Sequence, residues 1–199
     1  MNQFENKRYN ICIVGDECVQ GYGDELQLGF IGRILKRVAK DINVVTYNLG
    51  RFGADSTSVS KHLEADVNER LSADTDGEVQ NRLIIMMPSR DIDQMPTSRS
   101  RLNLANILDK NNFPHYRAMV IGPTPRSLDE NGRIAELSNA CKDVCARRNI
   151  PYVDLFSSLV ENKQWIHSML ASGAKYPDQV GYGLIAWVVL HSDFERFIK

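Results

Sequence analysis

The sequence has no C-x-x-C pair, no excess of either charge and no long apolar run. Each absence removes a class of function. Cys12, Cys18, Cys141 and Cys145 fall without metal-ligand or thioredoxin-type spacing, so they are expected as buried free thiols, which pack as small hydrophobes. With 24 Lys and Arg against 25 Asp and Glu, the formal net charge of -1 leaves no basic footprint for nucleic acid or an anionic membrane surface. The longest apolar run, 184–190, is far short of the roughly 20 residues that a membrane-crossing helix needs. The opening stretch MNQFENKRYN lacks the apolar core of a secretory signal. A soluble, cytoplasmic protein is therefore expected. No repeat, linker or low-complexity tract is visible, and no motif implies a metal or an organic cofactor.

What is present is an ordinary globular balance, 43% hydrophobic and 25% charged, sufficient for one packed domain over residues 1–199. Residues 9–14 (YNICIV), 43–49 (NVVTYNL), 82–87 (RLIIMM), 118–121 (AMVI) and 151–155 (PYVDL) are short apolar or β-branched runs, and they are predicted strands. Phe30, Ile31, Ile34, Leu35 and Val38 recur at helical intervals within 28–40. Val59, Leu63, Val67 and Leu71 repeat every four residues, and 102–108 and 134–148 are further helix candidates. The polar stretch 72–81 is predicted as a loop, and 178–198 as one terminal helix capped by Asp178. Strands alternating with helices predict a three-layer α/β/α fold. Its five-stranded parallel sheet should have the order 2-1-3-4-5 with helices on both faces. Ligands of such sheets bind at the carboxyl ends of the strands.

The loops at that end carry an ordered series of blocks. Gly15-Asp16-Glu17-Cys18-Val19-Gln20-Gly21 stands as G-D-S-x-x-x-G, followed by Leu28-Gly29-Phe30-Ile31-Gly32-Arg33 as L-G-W-x-x-R. Asn48-Leu49-Gly50-Arg51-Phe52-Gly53 is N-x-G-x-x-G, and Pro88-Ser89-Arg90-Asp91 stands where G-x-N-D is expected. Gly173-Ala174-Lys175-Tyr176-Pro177 stands for D-x-x-H-P, with Gly181-Tyr182 following as the usual G-Y. In order and spacing these blocks resemble the SGNH (GDSL-type) hydrolases.

The resemblance implies an SGNH hydrolase fold and a serine-esterase site. In that chemistry a serine attacks an acyl carbonyl, a histidine takes its proton and an aspartate orients the histidine. Backbone amides and an asparagine stabilise the oxyanion. At the matching positions this chain has Glu17 for the nucleophile, Arg90 for the asparagine, Gly173 for the aspartate and Tyr176 for the histidine. Gly53 keeps the oxyanion glycine. A carboxylate carries no proton that a base could remove to make a nucleophile, and an ordinary tyrosine, with a pKa of about 10, is a poor base at neutral pH. Cys18 is one residue away from the nucleophile position and should point elsewhere. His62, His115, His167 and His191 are expected in structural or surface roles. Asp16 and Asp91 are expected chiefly to bond loop amides.

The leading expectation is thus a non-hydrolytic pseudoenzyme, or a domain binding a small molecule or a partner. Glu17, Gly53, Arg90, Asp91 and Tyr176 would be its ligand-binding residues, and a small acyl or anionic molecule its ligand, with no protein partner indicated. Two alternatives stand beside it: an enzyme repurposed around Glu17, Arg90 and Tyr176, and a conventional esterase. Glu17 and Arg90 are expected to form a salt bridge across the old oxyanion hole, since an arginine fork suits a carboxylate.

Overall fold

The computed structural model describes residues 7–38, 42–71, 78–110, 116–173 and 175–198. Its strands are β1 (Arg8–Gly15), β2 (Asn43–Gly50), β3 (Val79–Met86), β4 (Tyr116–Ile121) and β5 (Tyr152–Val153). All pairings are parallel, in the order β2-β1-β3-β4-β5. The predicted sheet order is therefore observed.

The period-two alternation of the central strands divides the core between the two faces. Tyr9, Ile11 and Ile13 of β1, Ile84 and Met86 of β3, and Met119 and Ile121 of β4 share one cluster. Their neighbours Cys12, Val14, Leu83, Ile85 and Val120 belong to the other. The first face is covered by α1 (Glu17–Gln20), α2 (Gly29–Val38), α7 (Leu155–Leu159), α8 (Lys163–Ala171), α9 (Gln179–Leu190) and α10 (Phe194–Ile198). The second is covered by α3 (Ser56–Asn68), α4 (Asp91–Gln94), α5 (Thr97–Lys110) and α6 (Leu128–Ala146). Cys141 and Cys145, one helical turn apart on α6, are both buried. Burial pushes the Cys145 thiol up to about 12 and that of Cys141 well above its ordinary value.

The structure corrects several sequence expectations. Val79, Gln80 and Asn81, at the end of the predicted loop, are strand because they pair in register with Arg8, Tyr9 and Asn10. The terminal helix is not continuous: α9 ends at Leu190 and α10 begins at Phe194. Arg82, buried on β3, donates from Nε to the Phe197 carbonyl (2.7 Å) and from Nη2 to the Ile198 carbonyl (2.8 Å). A cation at the carbonyl end of a helix is favourable, and it pins α10 to the sheet. The expected helix end at 39–40, loop residues 72–77 and His115 lie outside the described residues. Among the described residues, no helix is long and apolar enough to cross a membrane.

Candidate functional site

Three strand-to-helix turns converge at the carboxyl end of the sheet. In the first, Asp16 caps α1, and its Oδ1 accepts from the Cys18 amide at 3.0 Å. This sets Glu17 as the first helical residue, over the strand ends. In the second, Asn48 donates to the Val19 carbonyl (2.8 Å) and accepts from the Gly50 amide (3.2 Å). Gly50 must be glycine because a Cβ there would stand 2.7 Å from the Asp16 carbonyl oxygen. The chain then turns through Phe52 to Gly53, a glycine with φ +72. In the third, the Ser89 hydroxyl bonds the Thr124 carbonyl oxygen (2.8 Å) and lies 3.1 Å from its hydroxyl, which sets the turn that carries Arg90.

Between these turns and the segment before α9 lies a cavity of about 350 Å³. Glu17, Arg90 and Tyr176 all line it, with Asp16, Cys18 and Phe52. Glu17 Oε2 accepts from the Gly53 amide at 2.8 Å. Its Oε1 lies 3.6 Å from Arg90 Nη2. The expected ion pair is therefore present, but it is one long contact, not a bidentate fork. The short bond of Glu17 is to the Gly53 amide, a partner that sequence reasoning had not given it. Arg90 Nε is buried with no hydrogen-bond partner among the described residues.

The neighbouring groups are tuned by burial. Desolvation, with the adjacent Glu17 charge behind it, raises the Asp16 carboxyl to about 7, although the Cys18 amide bond and Arg90 pull the other way. Desolvation also pushes the Cys18 thiol well above its ordinary value. That leaves little thiolate for nucleophilic attack.

Other expected site residues lie elsewhere. Asp91 does not line the cavity. It is fully buried, and its Oδ1 accepts from the Ser56 amide at 2.7 Å, tying the third turn to the start of α3. Asp91 thus bonds a loop amide, as was expected of it and of Asp16, and it is not part of the cavity lining. Gly173 also stands outside the cavity lining. It is exposed at φ +67, and a Cβ there would meet nothing within 4 Å. His62, His167 and His191 do not line the cavity. His191 instead stacks on Trp187 with ring centroids 4.2 Å apart.

Sequence reasoning missed Asp93, Arg126, Lys175 and Met169, which also line the cavity. Arg126 bonds Asp93 (2.7 Å) and Glu130 (3.0 Å), so its charge is satisfied. Lys175 has no carboxylate partner among the described residues. Tyr22 meets the rings of Phe52 and Tyr176 edge-on, with centroids 5.0 and 4.9 Å away. Of these rings, Phe52 and Tyr176 line the cavity. Gly23, at φ +90, leaves room for the Tyr176 ring, which a Cβ there would overlap. Phe52 was the readable signal: a large apolar residue in a glycine-bearing loop at a strand end.

A model of the GDSL-like lipase/acylhydrolase family matches residues 13–184. No curated protein sequence matches the chain. A lipase/acylhydrolase from Enterococcus faecalis superposes with a TM-score of 0.76 at 20% identity, covering 96% of this chain and 98% of its own. A member of the lipolytic G-D-S-L family from Veillonella parvula gives 0.74 at 22% identity, covering 92% and 96%. The psychrotrophic esterase EstA from Pseudoalteromonas sp. gives 0.71 at 14% identity, covering 94% and 97%.

Proposed function

The chain belongs to the GDSL-like lipase/acylhydrolase family, and from that premise we propose that it is a member which binds a small molecule in the crevice without hydrolysing it. One observation carries the reading: the Glu17 carboxylate accepts the Gly53 amide at 2.8 Å. By its place in the motifs, Gly53 is a donor meant for an oxyanion, and Glu17 stands where the attacking serine would be. A fixed anion already takes the bond that would stabilise a developing one, so the amide has nothing to add in a transition state. Glu17 itself presents no hydroxyl to attack with. No imidazole of the described residues lines the crevice, so the proton relay has no visible member either.

The similar structures, named as a lipase/acylhydrolase, a lipolytic G-D-S-L family member and an esterase, come from chains at most 22% identical to this one, and the reading departs from the family motif at Glu17. A second reading, an enzyme repurposed around Glu17, Arg90 and Tyr176, is favoured by the open cavity of about 350 Å³ that all three line. It also gains from the Asp16 carboxyl at about 7, since groups tuned toward neutrality cluster at reacting sites.

The substitution Glu17→Ser distinguishes a missing nucleophile from a missing relay. It restores the hydroxyl and clears the Gly53 amide. Hydrolysis of p-nitrophenyl butyrate is expected to stay at the buffer rate, because among the described residues no imidazole lines the crevice to take the serine proton. Turnover restored by this single change would show a working base and contradict the proposal.

A further inference from the structure

The charges around the crevice are unevenly satisfied. Arg126 is held by two carboxylates, Asp93 and Glu130. Glu17 has its short bond to the Gly53 amide. Among the described residues, Arg90 is left with one ion-pair contact at 3.6 Å and a buried Nε without a hydrogen-bond partner. A guanidinium has five donors in a planar fork suited to a carboxylate or phosphate, and this one uses its fork poorly. Lys175 adds a second cation to the same cavity, and its ammonium offers three rotatable donors.

Beside these cations stands apolar surface. Phe52 is 63% exposed, in a ring contact with Tyr22, and lines the cavity with Tyr176 and Met169. A bare phenylalanine next to an under-used arginine is suited to a ligand with an apolar body and a charged head. We propose that the crevice takes a small organic anion, a carboxylate or phosphate on an apolar body, with its charge on Arg90 and Lys175 and its body against Phe52, Met169 and Tyr176. This rests on the reading of the crevice as a binding site.

In this arrangement Glu17 is a built-in competitor. Its carboxylate faces Arg90 and repels an incoming anion, so removing its charge must tighten binding. A residue holding the loop together for structural reasons alone would not behave in this way.

The test is a titration of ¹⁵N-labelled protein with phenylacetate, phenyl phosphate and the neutral phenylacetamide, following the Gly53 amide and the Arg90 Nε–H resonance. At least one anion is expected to move both signals saturably and to bind at least tenfold tighter than phenylacetamide. Whichever of phenylacetate and phenyl phosphate binds tighter identifies the head group. Glu17→Gln is expected to tighten the preferred anion about tenfold, a change of about 1.4 kcal/mol. Arg90→Gln is expected to weaken it at least tenfold while the spectrum away from the crevice is kept. The inference is overturned if no anion gives a saturable shift, if phenylacetamide binds as well as either anion, or if Glu17→Gln leaves the affinity unchanged. Phenylacetamide binding without the anions would keep the crevice as a binding site and remove only the anion. Ester turnover by the wild-type chain would instead defeat the non-hydrolytic reading itself.

Discussion

Replacing Asp24 by alanine is expected to lower the folding free energy by about 3–5 kcal/mol, the range found when one partner of a buried ion pair is removed. Asp24 is 1% exposed. Its carboxylate accepts from the amides of Leu26 (3.2 Å), Leu28 (3.1 Å) and Gly29 (2.8 Å). It also takes both terminal nitrogens of Arg33, with Nη2 at 3.1 Å. Alanine would strand those amides at the start of α2 and leave the Arg33 charge, itself mostly buried, unpaired. Burial opposes the charge of Asp24, but the Arg33 bond and the Leu26 and Gly29 amides outweigh it and hold the carboxyl below its ordinary value. A depressed carboxyl stabilises the fold above its unfolded pKa, and this contribution is lost as pH falls through the folded pKa. The charge-dependent part of the difference between wild type and variant should therefore shrink in acid, below about pH 4. Urea unfolding at pH 7 measures the main effect, and a loss under 1 kcal/mol would mean that the pair is no more than a surface ion pair.

Asp16→Asn should act in the opposite direction. The native carboxyl, raised to about 7, keeps its proton where the unfolded chain, with an ordinary carboxyl, has released it. Wild-type stability from this group is full below the unfolded pKa, falls as pH rises toward about 7, and is flat above that. Raising the carboxyl from its ordinary value to about 7 corresponds to about 4 kcal/mol. Asparagine can still accept the Cys18 amide but has no charge to bury. The variant is therefore expected to match wild type near pH 4 and to exceed it by up to about 4 kcal/mol at pH 8. Paired urea titrations at the two pH values check this. A difference that does not change with pH would mean that Asp16 is ionised in the fold without penalty.

The sheet was legible because parallel strands covered on both faces read as continuous apolar runs, as RLIIMM and AMVI do here. The start of β3 was not legible, because Gln80 and Asn81 are strand by pairing with β1, not by hydrophobicity. Two short helices, α7 and α8, were also missed. Each contributes only a one-turn apolar pair to the core, Leu155 with Leu159 and Trp165 with Met169. Their caps, Asp154 and Asn162, were the readable signal. The break before α10 has no glycine or proline to announce it, and the partner that holds the helix, Arg82, lies on a distant strand.

In the crevice, motif order placed Glu17, Arg90 and Tyr176 around one cavity. It could not tell that the Glu17 carboxylate would turn to an amide 36 residues away. Nor could it tell that Asp91, adjacent to Arg90, would point into the protein toward Ser56. Arg126 was invisible for the same reason: only the fold decides which polar loops meet.

The most direct measurement of the central claim is the hydrolysis of p-nitrophenyl acetate and butyrate by the purified chain, beside its Glu17→Ala variant. The rate is expected to equal that of buffer for both proteins. A wild-type rate well above buffer that disappears in Glu17→Ala would contradict the account, for it would make Glu17 a working catalytic group and not the occupant of an oxyanion site.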